Sequence, residues 1–116
     1  MDFYQRINIV ASHIPYGSVA TYGQIALLCQ RPNHSRQVGF GLRGGKVGEV
    51  PAHRIVNHQG YLSANSLFYP DSQKELLSSE GVLVNEELRV SVKQYGWKTT
   101  MADALYFAEK FTELAI

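Results

Sequence analysis

The stretch that decides the fold is residues 21–45, TYGQIALLCQRPNHSRQVGFGLRGG. Thr21 is a helix N-cap residue, because its hydroxyl can accept from an open amide of the first turn. Ile25, Ala26, Leu28 and Cys29 follow as the apolar side of a short helix. Arg31-Pro32-Asn33-His34 then breaks the chain, and Ser35 reads as the N-cap of a second helix running from Arg36 to about Leu42. Gly44-Gly45 closes it. Two short helices across a brief turn form a helix-turn-helix pattern. Gly39 and Gly41 cost the second helix up to ~1 kcal/mol each relative to alanine. Their presence implies that something approaches its backbone closely, either a nucleic acid or a packed neighbouring helix.

Working outward, Phe3, Ile7, Val10 and Ile14 recur at spacings of four, three and four, which predicts an amphipathic helix ending before Pro15. Pro15-Tyr16-Gly17-Ser18 is a turn. On the other side, Ile55-Val56 followed by the Gly60-containing segment predicts a short strand and a hairpin-like loop. Asp71 or Ser72 starts a helix through Leu76 and Leu77 that stops at Gly81. Val82 to Val84, and then Leu88, Val90 and Val92, suit short extended segments. Met101 to Leu114 is helical, with Leu105, Ala108, Phe111 and Thr112 along one side. The expected class is mostly α with short strands, in one domain covering residues 1–116.

A hydrophobic fraction of 45% with 18% charged residues belongs to a globular protein. No apolar run reaches the ~18–20 residues that cross a bilayer. The opening MDFYQRINIV does not read as a secretory signal, so a cytoplasmic location and no membrane are the expectation. Cys29 is the sole cysteine, which precludes an internal disulfide. His13, His34, His53 and His58 lack zinc-site spacing, and no metal or other cofactor is implied. The net charge of +1 conceals an asymmetry. From Arg31 to Arg54 five cations stand against Glu49 alone, a net +4; from Asp71 onward five stand against eight acids, a net −3. A polyanion bound by one face suits that distribution.

Five motifs in order then carry a resemblance: Thr21-Tyr22-Gly23-Gln24, Ser35-Arg36-Gln37-Val38-Gly39, Leu42-Arg43-Gly44, Pro51-Ala52-His53-Arg54-Ile55-Val56 and Leu76-Leu77-Ser78-Ser79-Glu80-Gly81. From about Phe3 to Val84 the chain resembles the C-terminal domain of O6-alkylguanine-DNA alkyltransferases. The active enzymes carry Pro-Cys-His-Arg, and the cysteine accepts the alkyl group; here that position is Ala52. A methyl group cannot ionise or attack carbon. The resemblance is therefore to the alkyltransferase-like group, which implies lesion binding and hand-over to nucleotide excision repair without alkyl transfer. The implied partners are duplex DNA containing O6-alkylguanine and excision-repair proteins; a monomer is the expected state.

The same resemblance implies roles residue by residue. Tyr22 crowds the phosphate beside the target nucleotide, and Arg36 enters the stack in place of the flipped base. Thr21, Ser35, Gln37, Gly39, Arg43 and Gly44 join them in minor-groove and phosphate contact. Tyr22, Ala52, His53, Arg54, Glu80 and Ser66 form the lesion pocket, with His53, Arg54 and Glu80 holding its shape. Two departures stand out. At Asn65-Ser66 the family's tyrosine is missing, and Gly45 stands where the family has an asparagine, in a segment one residue shorter. The region 98–116 lies beyond the resemblance and has no assigned role. Two other functions remain open from the residues: a sequence-specific helix-turn-helix regulator, and a water-dependent dealkylating enzyme using His53 and Glu80.

Overall fold

The computed structural model describes residues 2–63 and 72–116. Helix α1 (Phe3–Ala11) starts at Asp2, whose carboxylate accepts from the Gln5 amide at 3.0 Å. It tightens after Ala11, where His13 and Ile14 donate to the carbonyls of Val10 and Ala11, so Ile14 is buried from a turn. Strand β1 (Ala20–Thr21) runs directly into α2 (Tyr22–Leu28), and Thr21 is the predicted N-cap, accepting from the Gln24 amide at 3.0 Å. At the far end Gln30 takes a left-handed φ of 66°, with Gln30 and Arg31 donating back to Leu27 and Ala26. A non-glycine residue there is strained, and Arg6 holds it by donating to its side chain at 3.1 Å.

Helix α3 (Ser35–Arg43) begins one residue earlier than expected. Ser35 is its first helical residue and His34 occupies the cap position without any side-chain bond, which corrects the assignment of Ser35 as N-cap. The Arg31–His34 turn, closed by the His34 amide on the Arg31 carbonyl at 2.9 Å, already delivers the chain in helical register. Gly44 and Gly45 end the helix as predicted; Gly45 takes φ +69°, and Lys46 donates to the Gly41 carbonyl.

A single 3₁₀ turn, Ala52–Arg54, leads into β2 (Ile55–Val56). This strand does not form a hairpin: it pairs in parallel with β1, Ala20 opposite Ile55 and Thr21 opposite Val56. The turn after it closes separately, with Gly60 donating to Asn57. Strand alternation divides the interior in two. Ala20 and Ile55 face the main core of α1, α2 and α3, while Val19 and Val56 face a smaller cluster with Leu77, Val82 and Val90. Helix α4 (Gln73–Ser79) is capped by Ser72, and Val92 lies in a one-turn helix, α5 (Val92–Tyr95), instead of the extended segment expected.

Helix α6 spans Met101–Leu114 as predicted, closed at its start by a Thr100–Asp103 capping box. Its buried side is different from the expected one. Phe107 and Phe111 enter the main core with Ala104 beside them, whereas Leu105 and Thr112 are exposed. Two phenyl rings bury more apolar surface than a leucine and a threonine, so they set the rotation of the helix. The C-terminal region is thus built into the fold. Arg6 donates to the Ile116 carbonyl at 2.8 Å and lies 4.6 Å over the Phe111 ring, and the Trp97 amide donates to Val19 at 2.7 Å.

Candidate nucleic-acid interface

The two helices of the motif are joined by a groove of about 490 Å³. Tyr22 and Gly23 come from the start of α2, and Ser35, Arg36, Gly39 and Arg43 from α3. Asn57 and His58 complete it. The parallel register explains their presence: Thr21 lies opposite Val56, so the next residues, Tyr22 and Asn57, leave the ladder side by side. Tyr22 is half-buried; burial raises its phenol pKa and the nearby Arg43 charge partly offsets this, so the hydroxyl remains a neutral donor. Arg36 and Arg43 are exposed and make no ion pair among the described residues. The groove is therefore an open cationic surface with one aromatic wall.

The helix glycines prove to have different partners. A Cβ on Gly41 would stand 2.5 Å from the Tyr4 ring, so Gly41 is small because α1 packs against it. Gly39 faces the groove, and a Cβ there would lie 3.1 Å from the terminal nitrogen of Arg43. That guanidinium also lies 5.3 Å over the Phe40 ring. The packed-helix explanation holds for Gly41, and the close-approach explanation remains for Gly39.

At the other end of the ladder, the 3₁₀ turn places Ala52 beside a closed polar network. Glu80, its side chain only 6% exposed, accepts from Arg54 Nε at 2.9 Å and Nη2 at 2.9 Å, from His53 Nε2 at 2.6 Å, and from the Gly17 amide at 2.9 Å. Arg54 also donates to the Ile14 carbonyl at 2.9 Å, and Tyr16 donates to Ser79 at 3.0 Å. Burial pushes the Glu80 carboxyl up, but the bonds from Arg54, Gly17 and His53 outweigh it and hold its pKa at about 2. An ionised carboxylate only accepts, so His53 carries its proton on Nε2. The network locks the 3₁₀ turn to α4 and to the turn after α1.

Residues 2–82 match the family described as 6-O-methylguanine DNA methyltransferase, DNA binding domain. The chain belongs to this family. Within it, alkyltransferase-like protein 1 of Schizosaccharomyces pombe is 33% identical over 103 residues, covering 84% of this chain and 95% of that protein. A DNA base-flipping protein of Escherichia coli is 37% identical over 99 residues, 83% of this chain and 74% of its own. The crystal structure of S. pombe Atl1 in complex with damaged DNA containing O6-carboxymethylguanine superposes with a TM-score of 0.72 at 32% identity, over 84% and 95% of the two chains.

Of the positions that the alkyltransferase-like pattern marks, the groove unites Tyr22, Ser35, Arg36, Gly39 and Arg43. Thr21 is occupied as a helix cap, Gly44 as the C-cap of α3, and Gln37 is exposed on α3 away from the groove lining. His53, Arg54 and Glu80 share one hydrogen-bond network next to Ala52 in the chain, and Tyr22 lies outside it. Ser66, with Asn65, lies outside the described residues. Three positions escaped the sequence reading. Asn57 and His58 directly follow the Pro51–Val56 motif, and that adjacency was the available signal. Gln73, buried on α4, donates to the carbonyls of His53 and Ile55 and accepts from Ser63; an ordinary-looking glutamine in a polar helix carried no signal.

Proposed function

We infer that this protein recognises O6-alkylguanine in duplex DNA, rotates the damaged base out of the stack, and transfers no alkyl group. The observation that carries this reading is the shared groove: Tyr22 at the entry of α2 and Arg36 in the first turn of α3 line one cationic surface. With α3 laid in the minor groove, Arg36 enters the duplex and its planar guanidinium stacks where the base was. Tyr22 presses on the phosphate that must rotate. Extrusion costs a few kcal/mol, and less for a lesion whose pairing is already impaired. Similarity to a protein solved with DNA containing O6-carboxymethylguanine supports the same ligand class here.

The base then rests beside Ala52, the position that matches the alkyl-accepting cysteine of active enzymes, where a methyl side chain leaves room for the adduct and offers no nucleophile. The one thiol of the chain cannot substitute: Cys29 is buried in the main core, and burial, only partly offset by Arg6, pushes its pKa to about 12. His53 and Glu80 hold the turn in shape, with no sulfur proton to move. One groove per chain suffices, so the protein acts as a monomer. Excision-repair proteins are the partners proposed to receive the marked site.

Two duplexes of identical sequence, with and without a single O6-methylguanine, test the reading by titration. The lesion duplex binds more tightly whatever the flanking sequence, and the protein leaves the reaction at unchanged intact mass with the guanine still methylated. Equal affinity for both duplexes would instead indicate a sequence-specific regulator. A mass gain of one methyl, or restored guanine, would make the protein an enzyme.

A further inference from the structure

The groove beneath α3 is not the only cationic surface on this side of the molecule. A second groove of about 450 Å³ adjoins it, and His58 lines both. Its cations are Arg89 and Lys93, which lie beyond the 2–82 family match. From Leu88 to Ala102 the sequence carries three cations, Arg89, Lys93 and Lys98, and no acid, although the C-terminal part as a whole is net negative. These charges are therefore gathered locally against the trend of the region.

Arg89 is held ready for a ligand. Its Nε donates to the Gln59 carbonyl at 2.7 Å and its guanidinium lies 5.3 Å over the Tyr61 ring. The Val90 amide donates to the Gly60 carbonyl at 2.9 Å, which ties the same strand segment to the turn. Both terminal nitrogens of Arg89 have no hydrogen bond among the described residues, and neither Arg89 nor Lys93 forms an ion pair among them. An ordered guanidinium with two unused parallel donors is the geometry that grips a phosphate. Lys93, exposed on α5, adds a second point charge, and the Lys98 ammonium stands 3.3 Å from the Lys93 carbonyl.

We propose that the DNA footprint continues from the α3 groove across His58 into this second groove, where Arg89 and Lys93 each take a backbone phosphate of the same duplex. The proposal rests on the lesion-binding reading above. It adds a phosphate track that anchors the duplex beyond the flipped nucleotide and contributes to every sequence equally, since phosphates carry no base information.

Salt dependence tests it. Each phosphate contact adds about 0.9 to the slope of log affinity against log salt. Affinity for a long lesion duplex should therefore fall about 12-fold more in the wild type than in Arg89→Gln/Lys93→Gln between 50 and 200 mM salt, for two contacts at that slope. Lys74→Gln/Lys110→Gln, with the same change in charge outside both grooves, serves as the control and keeps nearly the wild-type slope. Lys93→Gln alone, whose side chain makes no hydrogen bond or ion pair among the described residues, should show about 3.5-fold less salt weakening than wild type, so a loosened Gln59 turn cannot mimic the result. Variant and control slopes that coincide would overturn the track while leaving lesion binding intact. Failure of the wild type to bind any lesion duplex removes the α3-groove reading and the track together.

Discussion

Replacing Glu80 by glutamine keeps the shape of the side chain and removes its charge. In the native chain that carboxylate, 6% exposed, accepts from Nε and Nη2 of Arg54, from His53 and from the Gly17 amide. A glutamine can accept through one oxygen only, and its amide nitrogen would face donors. Arg54, 16% exposed, would be left as a largely covered cation without a counter-charge. Removing one member of such a pair costs about 3–5 kcal/mol. Independently, a carboxyl held at about 2 rather than 4.5 contributes on the order of 3 kcal/mol. At roughly 4 °C per kcal/mol for a chain of this length, Glu80→Gln should lower Tm by about 12 °C at pH 7. The pH course is the sharper test. Because the folded-state pKa is depressed, the unfolded chain binds the extra proton; the contribution is complete above about pH 5 and disappears as pH falls through 2. The gap in Tm between wild type and variant should therefore close progressively from pH 5 to pH 2, measured by calorimetry or circular dichroism. A gap below 2 °C at pH 7, or one that does not change with pH, would refute the idea that this carboxylate ties the Ala52–Arg54 turn in place.

Other substitutions probe separate parts of the argument. Arg36→Ala should weaken lesion binding at least tenfold in a fluorescence titration while moving Tm by no more than a degree or two, since the side chain is exposed. Gly41→Ala drives a methyl into the Tyr4 ring and should destabilise by about 1–3 kcal/mol in urea unfolding. Gly39→Ala meets only the movable end of Arg43, so its stability should be nearly unchanged while DNA affinity falls, the reverse of Gly41. Phe111→Ala should cost about 3–5 kcal/mol by the same measurement; a loss below 1 kcal/mol would mean that α6 is an appendage and not part of the core.

Much of the fold follows from short-range chemistry. Asp2, Thr21, Ser72 and Thr100 cap the helices that follow them, and Gly45 and Gly81 take left-handed conformations just past helix ends. These signals act within four residues, so a single chain displays them without its tertiary context. Ser35 misled for the same reason: it has a capping side chain, but the preceding turn had already set the register. The site was legible in part. Tyr22, Arg36 and Arg43 stand out by type and order, as does the alanine within Pro51-Ala52-His53-Arg54. Asn57, His58 and Gln73 do not, because their importance comes from what lies across space.

Local sequence alone determined the starts of α1, α2, α4 and α6, the helix-turn-helix and the absence of a thiol at position 52, since each depends on the identity of a few neighbouring residues. Tertiary structure decided the parallel pairing of Ala20–Thr21 with Ile55–Val56, which face of α6 is buried, and which polar groups Glu80 gathers. Those outcomes join residues 26 to more than 100 positions apart. Whether such contacts form depends on competition for a shared core, and no window of sequence records that competition.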